Sequence, residues 1–293
     1  MSKSSYNDKE NVDSLWIYYN HAMIPTTAPH EEPDLRIIND GSIWKRKERP
    51  ILARWTTNFD CDCETDWWYV IKDTEFDISA LKAKRRYEIK KGAKNFYVKR
   101  IEASNYCNEL YEVQINAFSA YPKKYRPTVD KNAFIDDIKN NWDKGNILVY
   151  GAFFLENNEL CGYAYLQKKN GYWEFNVLKT NPAYEKFSVN AAIVNQILID
   201  YNEEKAINSN LYICDGSRSI SHETAFQDYL EKYFGFRKAF CVLNIRYNPK
   251  LKLIIKFLYH FRKILKKFDG VGLIHSINGI MKMEEIVRSQ INK

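Results

Sequence analysis

The residues best suited to chemistry form a cationic cluster, and the ligand that suits such a cluster is phosphate. Arg85 lies between Leu81 and Ile89, four residues from each, on one face of a predicted helix. A guanidinium on an apolar seam is costly to bury unless an anion meets it. That anion is either an internal carboxylate or the phosphate of a ligand, whose oxygens match the arginine fork. The other cations of the cluster are Lys82, Lys84, Arg86, Lys90, Lys91 and Lys94.

A helix has to position this cluster. Asp77 suits its N-cap and Gly92 the residue just beyond its end, so we expect the helix to span about Ile78 to Lys91. The aromatic stretch WWYVIKD at 67–73 predicts a strand before the helix, and NFYVKRI at 95–101 predicts another after it.

The composition is that of a folded, basic protein. With 293 residues, 45% hydrophobic and 15% aromatic, the chain can build one large domain or two small ones. A net charge of +7 favours anionic partners. The N-terminus is polar, without the apolar core of a signal peptide, and no apolar run is long enough to cross a bilayer. We therefore expect a cytoplasmic protein whose six cysteines are free thiols.

Several kinds of site are excluded by spacing. The stretch DCDCETD at 60–66 alternates acids like a calcium loop, but it lacks the turn glycine and the distal glutamate of such a loop. Cys61 and Cys63 have no second cysteine pair at zinc spacing, so no metal is expected. The five histidines form no hydrolase triad, and there is no P-loop and no G-x-G-x-x-G.

The order of elements after residue 94 is informative. Turn residues at 156–158 and 169–171 join three predicted strands into an antiparallel meander. The full order is β-α-α-β-β-β-α-β-α-β. Its predicted ranges are 95–101, 104–119, 130–142, 147–155, 159–167, 172–179, 188–202, 211–214, 222–234 and 239–247.

This order resembles that of the GNAT superfamily of N-acyltransferases, and the stretch YLEKYFGFRK at 229–238 is similar to their closing helix. The segment at 67–101, with K-x-R-R-x-x-I-x-K-G, further resembles the crossing between the two GNAT-like halves of the Fem family, which are peptidoglycan-bridge aminoacyltransferases. The resemblance implies an α+β, GNAT-like fold around a central mixed, mostly antiparallel sheet.

The resemblance also implies a division of the chain. Residues 1–94 are too short for a complete first half, so we expect a partial N-terminal GNAT-like half there. Residues 95–248 would form the acyltransferase domain and residues 249–293 a basic helical tail. The aromatic residues before position 67 predict strands that extend the sheet or cover the substrate cleft.

The donor substrate is left open between acyl-CoA and aminoacyl-tRNA. GNAT enzymes that use acyl-CoA hold its pyrophosphate at a glycine-rich turn before a helix. Here that turn is TNPAYEKFS at 180–188, where Pro182 removes a donor and Glu185 adds a negative charge. Lys186 and Ser188 partly compensate. Fem enzymes also lack the glycine turn.

The resemblance places the catalytic groups near the fourth strand and the last helix. Glu174 and Asn176 are then candidates for the base and for the residue that orients the substrate, and Tyr229 for the acid; Tyr233 is its neighbour on the helix. Asp215, after the fifth strand, is a second candidate base or substrate contact. The alternatives are a solvated strand face, aromatic packing and a turn-forming Asp-Gly pair. The predicted binding residues are Arg85, Arg86, Lys82, Lys90, Tyr121, Lys186 and Ser188.

The stretch KLKLIIKFLYHFRKILKK at 250–267 predicts a basic amphipathic helix. It holds seven Lys or Arg residues, and no acid follows before Asp269. Such a helix binds an anionic membrane surface, or it packs on the domain or on a second copy. Its predicted apolar stripe is Leu251, Ile254, Leu258, Phe261 and Leu265.

The resemblance, taken with these features, implies a transferase that moves an acyl or aminoacyl group onto an amine of a cell-envelope or polysaccharide precursor. Its partners would be a phosphate-bearing small molecule or tRNA, at the inner face of the membrane. The alternatives are an acetyl-CoA-dependent N-acetyltransferase and a non-catalytic GNAT-fold module that binds an anionic ligand, RNA or membrane. The oligomeric state stays open.

Overall fold

The computed structural model describes residues 15–123, 126–220, 225–269 and 272–291. The strands are β1 (Trp16–Tyr19), β2 (Ala22–Pro25), β3 (Leu52–Thr57), β4 (Trp68–Lys72), β5 (Phe96–Arg100), β6 (Ile147–Phe154), β7 (Leu160–Lys169), β8 (Tyr172–Thr180), β9 (Tyr212–Ser217), β10 (Arg237–Phe240) and β11 (Val242–Tyr247). The helices are α1 (Arg36–Asn39), α2 (Ala83–Asn95), α3 (Cys107–Ser119), α4 (Lys131–Asp137), α5 (Val189–Ile207), α6 (Ala225–Phe234), α7 (Lys252–His260), α8 (Arg262–Leu265) and α9 (Gly272–Ile291).

The chain divides into two compact units. The first takes in the chain up to Tyr69, a short stretch from Ser217, and the residues from Lys238 onward; the second holds Val70–Gly216 and Ala225–Arg237. These units do not coincide with the predicted division at residues 94 and 248. The predicted partial N-terminal half stays a prediction.

A seven-stranded sheet runs in the order β10-β4-β9-β8-β7-β6-β5. Strands β5 to β8 pair antiparallel, and β8 pairs parallel with β9. The hairpin turns contain Asn158 and Gly171, both with positive φ, as tight turns require. The predicted antiparallel meander and mixed sheet are therefore confirmed.

Helices cover both faces of this sheet. Tyr163 of β7 packs in a core cluster with Leu110 of α3 and Trp142. A Cβ at the adjacent Gly162 would lie 3.0 Å from Ile193 of α5. Because neighbouring strand residues point to opposite faces, α3 and α5 lie on opposite sides of the sheet.

The predicted bounds of the basic helix were wrong at both ends. The Asp77 carboxylate accepts a hydrogen bond from the Ser79 N–H, but it caps only a 3₁₀ turn, and α2 begins at Ala83. Gly92 lies inside α2 and does not end it. A Cβ there would lie 2.8 Å from the Ser188 carbonyl oxygen, so the glycine permits close packing of α2 on α5.

The predicted last strand, 239–247, is two strands in two sheets. The break is at the buried Cys241, whose N–H donates to the Trp67 carbonyl (2.9 Å) and whose carbonyl accepts from the Thr65 hydroxyl (2.7 Å). After it, β11 pairs antiparallel with β3, completing a four-stranded sheet of order β1-β2-β3-β11. The N-terminal strands therefore lie with β11 in a second sheet and do not extend the larger one, which corrects the first of the two alternatives; that they cover the substrate cleft stays a prediction.

The C-terminal segment is helical but interrupted. The predicted helix over 250–267 is divided into α7, α8 and a 3₁₀ turn at Lys266–Phe268. Helix α9 contributes Met283 and Ile286 to a core that includes Trp67 and Leu243. Among the described helices, none is long and apolar enough to span a membrane.

Candidate active site

In the second unit, two parallel strands pair over only part of their lengths. Strand β8 pairs with β9 only from Tyr172–Tyr212 to Glu174–Cys214. Just beyond, β8 carries an extra residue, Asn176, opposite β7, where the register shifts. A bulge of this kind bends and twists a strand. The described pairing thus ends where β8 bulges, and the residues of β8 and β9 beyond this point are not paired with each other.

Asp215 stands on β9 directly after the last of these pairs. Its carboxyl is half-buried, and burial raises its pKa to about 8, an effect that a hydrogen bond from the Gln227 side chain partly opposes. The Gln227 Nε2 also donates to the Asp215 main-chain carbonyl at 3.2 Å. A carboxyl that titrates near neutral pH can take up and release a proton there, as a general base must.

The candidate residues on β8 are placed differently. The Glu174 carboxylate forms an ion pair with the Lys169 ammonium, with Nζ and Oε2 2.7 Å apart. The Asn176 side chain is exposed at the bulge. Glu174 is therefore held in an ion pair on the sheet, whereas Asp215 has no cation among the causes that set its pKa.

Tyr229 lies in an aromatic and ionic cluster between α6 and α2. Its ring centroid is 5.3 Å from that of Tyr233 and 5.3 Å from that of Phe234. Burial raises the pKa of its phenol; the Glu88 carboxylate raises it further, and the Arg85 guanidinium lowers it. The phenol is therefore protonated at neutral pH, so it can donate a proton but cannot act as a base.

Tyr229 and the Asp215–Gln227 pair lie in different surroundings. Gln227, which contacts Asp215, and Tyr229 are two residues apart on α6, so their side chains leave the helix about 200° apart. Tyr229 faces Arg85 and Glu88, whereas Gln227 faces the end of β9. Asp215 with Gln227 is one site, and the tyrosine cluster is another.

Arg85 has the internal partner that was one of its two predicted alternatives. Its guanidinium pairs with the Glu88 carboxylate and lies over the Tyr233 ring. Arg86 donates to the carbonyls of Leu81 and Ser79. The phosphate role of both arginines stays a prediction, and the exposed lysines of the cluster are Lys82, Lys84, Lys90 and Lys94.

The remaining predicted binding residues are scattered. Lys186 is exposed and its ammonium lies 4.9 Å from the centroid of the Phe187 ring. Ser188 adopts a left-handed conformation (φ 68°) before α5 and makes no side-chain cap. The Tyr121 hydroxyl accepts from the Lys179 ammonium at 3.3 Å. Residues 124 and 125 of its loop, and the predicted helix start at 222, lie outside the described residues.

The first turn of α5 is packed against α2. At Gly92 a Cβ would lie 2.8 Å from the Ser188 carbonyl oxygen and 3.1 Å from the Ala192 nitrogen. A helix N-terminus holds a phosphate through free N–H groups that point at the ligand. Here one side of the turn is occupied by α2, and the turn has no glycine, so the usual pyrophosphate site is poorly formed.

A cleft of about 590 Å³ in the second unit contains none of the predicted site residues. It lies beside α3 and β5 and is lined by acids and aromatic rings, among them Glu109, Glu112, Glu159, Tyr97 and Phe153. We therefore place the candidate site by the chemistry of Asp215 and not by cavity size. Among the described residues, no group of three or more potential metal ligands forms.

Gln227 is a candidate site residue that the sequence pattern did not single out. It is 6% exposed and shares the inner face of α6 with Leu230 and Phe234. Its position in the sequence could have indicated burial, because Gln227 precedes the apolar Leu230 and Phe234 by three and seven residues and so shares their helix face. A buried amide needs hydrogen-bond partners, and the carbonyls of Asp215 and Gly216 supply them.

Replacing Arg85 with Ala is expected to destabilise the fold by about 1–2 kcal/mol, because it leaves the half-buried Glu88 unpaired and removes a cation from the Tyr233 ring. Urea denaturation measures the change, and Lys90→Ala, at an exposed site on the same helix, is the matched control. A loss no greater than that of the control would show that the Arg85 pair is unimportant for stability.

No protein-family model and no curated protein matches the sequence. Solved structures do match the fold. FemX superimposes with a TM-score of 0.55 over 80% of this chain and 82% of its own, at 10% identity. The C-terminal domain of a candidate lysylphosphatidylglycerol synthetase from Agrobacterium fabrum gives a TM-score of 0.50 over 82% of each chain, also at 10% identity. The chain therefore shares the fold of FemX and of that synthetase domain.

Proposed function

We propose that the chain is an N-acyltransferase that moves an aminoacyl group from aminoacyl-tRNA to an amine of a cell-envelope or polysaccharide precursor. The observation that carries the proposal is the half-buried Asp215 carboxyl, with a pKa of about 8, directly after the last pair of β9 with β8. In a fold shared with FemX, a proton acceptor at this place suits attack by an amine.

In the proposed reaction, Asp215 carries one proton from the amine to the leaving group. The acceptor amine attacks the ester carbonyl of the donor, so a C–N bond forms and the C–O bond to the ribose breaks. The amine gives up a proton to the Asp215 carboxylate, and the leaving ribose oxygen needs one. A carboxyl that titrates near 8 can take the first and return it to the second.

Two features favour tRNA over acyl-CoA as the donor. The first turn of α5 lacks glycine and is packed against α2, which leaves little room for a pyrophosphate. The exposed lysines Lys82, Lys84, Lys90 and Lys94 lie along α2 and its start, where they form a cationic face suited to the phosphates of a nucleic acid. The acceptor class rests on the resemblance to Fem enzymes.

A donor panel tests the proposal. Purified protein is melted with aminoacylated tRNA, uncharged tRNA, acetyl-CoA and CoA, and transfer is followed by mass spectrometry. The acceptors are a nucleotide-linked cell-wall peptide with a lysine amine and a nucleotide-linked amino sugar. We expect a rise in Tm of several degrees with tRNA, since a ligand at 100 times its Kd stabilises by about 2.7 kcal/mol. The tRNA effect should weaken steeply with salt.

The other outcomes are equally informative. A rise in Tm with CoA and transfer of an acetyl group would overturn the tRNA donor and identify an acetyl-CoA-dependent N-acetyltransferase. No transfer from any donor, with tRNA bound, would identify a non-catalytic module that binds RNA.

A further inference from the structure

The C-terminal segment concentrates exposed apolar side chains. Of the fifteen large hydrophobic residues that are exposed in the described chain, seven lie between positions 253 and 273. Leu253 is 77% exposed and Phe257 is 64% exposed. Such a concentration marks a surface that another apolar phase covers. The other five residues are Ile254, Phe261, Ile264, Phe268 and Leu273.

Helix α7 separates its side chains into three faces, at about 100° per residue. Leu253, Ile254 and Phe257 share an arc of about 100° and are all exposed. On a second arc Ile255 is buried, with Leu258 and Tyr259 half-buried beside it. Exposed Lys252, Lys256 and His260 fill the third arc. The predicted single stripe is thus two: one apolar face packs on the protein, and a second is free.

Contacts within the segment hold this free face in position. The Arg262 guanidinium pairs with the Glu285 carboxylate of α9 at 2.6 Å. The Asn278 Nδ2 donates to the Asp269 carboxylate, also at 2.6 Å. Helix α9 in turn buries Met281, Met283 and Ile286. The apolar side chains are therefore displayed on an anchored helix.

The charges around the exposed apolar face of α7 distinguish between a lipid surface and a second copy of the protein as its partner. Six lysines of the segment are exposed and form no ion pair with a described residue: Lys250, Lys252, Lys256, Lys263, Lys266 and Lys267. A second copy placed on the face would bring a second set of these charges against the first. Anionic lipid headgroups instead attract them, at about 1 kcal/mol per lysine near the surface.

We propose that α7, α8 and the turn after them dock this protein on an anionic lipid surface. Leu253, Ile254, Phe257 and Phe261 enter the boundary between headgroups and acyl chains, and the lysines contact the headgroups. The helix lies in the plane of the surface and does not cross it. This inference is independent of the transferase reaction.

Vesicle co-sedimentation of the full chain tests the inference, using phosphatidylcholine vesicles with and without phosphatidylglycerol. We expect binding only to the anionic vesicles. The double variant Leu253→Ser/Phe257→Ser should bind roughly 30-fold or more weakly, because two apolar side chains no longer leave water. Lys252→Glu/Lys256→Glu should also bind at least about tenfold more weakly.

The matched control is Leu155→Ser/Ile207→Ser, which removes two exposed apolar side chains of the second unit. It should bind like the wild type, and an unchanged Tm should show that all three variants are folded. The inference fails if the wild type does not bind anionic vesicles, or if the control loses as much as the double variant. It fails too if only the lysine changes matter, since binding is then electrostatic without insertion. A dimer in light scattering that Leu253→Ser/Phe257→Ser dissociates would instead make this face a self-association surface.

Discussion

Replacing Asp215 with Asn is expected to lower the rate of acyl transfer by roughly 100-fold or more, the usual contribution of a general base. Asn keeps the shape of the side chain and its contact with Gln227, so donor binding should be unchanged. Single-turnover transfer measures the rate, and the shift in Tm with donor measures binding. If Glu174→Gln abolishes transfer while Asp215→Asn leaves it near the wild-type rate, the base is Glu174.

The same substitution should change the dependence on pH. The Asp215 carboxyl must be deprotonated to accept the proton of the amine, and its pKa is about 8. The wild-type rate should therefore rise up to about pH 8 and then level off. In the Asn variant, the residual rate should not show this rise with pH.

Stability provides a readout that does not need the substrate. The unfolded Asp215 carboxyl loses its proton near its ordinary pKa of 3.8, whereas the folded one keeps it to about pH 8. Because the folded pKa is raised, the stability that this group contributes is complete below pH 3.8 and is lost as the pH rises to about 8. Asp215→Asn removes the cost of ionising the buried group.

We expect the Asn variant to be about as stable as the wild type at acid pH and about 2 kcal/mol more stable at alkaline pH. The gain is smaller than the full 1.36 kcal/mol per pKa unit, because the carboxyl is only half-buried. Urea midpoints measured on both sides of the transition compare the two. If the stability of the Asn variant differs from that of the wild type by the same amount at acid and at alkaline pH, Asp215 has an ordinary pKa.

Replacing Gly92 with Ala is the second large effect that we expect, a loss of about 2 kcal/mol in the free energy of unfolding. Ala is the better helix former by about 1 kcal/mol, so helix propensity alone predicts stabilisation. Its Cβ would however lie 2.8 Å from the Ser188 carbonyl oxygen, and main chain yields less readily than a side chain. Overpacking of this kind costs about 1–3 kcal/mol.

Gly145→Ala is the control for this substitution, since a Cβ at that position would have no atom within 4 Å. It should change stability by less than about 0.5 kcal/mol. If Gly92→Ala raises the Tm, α2 is not packed on the first turn of α5. A pyrophosphate would then have room at that turn.

Local chemistry made much of the fold predictable. The meander depends on short turns at Asn158 and Gly171. Helix α4 depends on its N-cap, Asp130, whose side chain accepts a hydrogen bond from the Ala133 N–H. Both signals lie within a few residues of the structure they produce. The same is not true of Gly92, whose usual local meaning is a helix end. Its meaning here comes from Ser188, about a hundred residues away in sequence.

The second sheet could not be predicted either, because it too depends on residues that are far apart in sequence. Strand β11 continues β10 with a single residue between them, and no local signal says that the chain changes sheets at Cys241. The change depends on Thr65 and Trp67, which bond the main chain of Cys241 from far away in sequence.

The site was predictable in residue type but not in arrangement. Asp215 was identifiable by its position after a strand. Its raised pKa follows from burial, which depends on packing that spacing does not reveal. The position of Arg85 on an apolar helix face indicates that it needs an anionic partner. The spacing does not show whether that partner is Glu88 or a ligand. Gln227 and Tyr229 are only two residues apart in sequence, and the helical geometry of α6 points their side chains in different directions.

The pairing of β3 with β11 sets the order in which this protein can be completed during synthesis. Thr57 and Asn244 are bonded partners 187 residues apart. At roughly 5–20 residues per second, the ribosome takes about 10–40 s to make the stretch between them. For that time the edge of β3 that β11 will cover is unpaired, and an open strand edge invites pairing with other chains. A nascent chain of this protein therefore depends on reaching Tyr247 quickly, or on a chaperone that shields the edge until then.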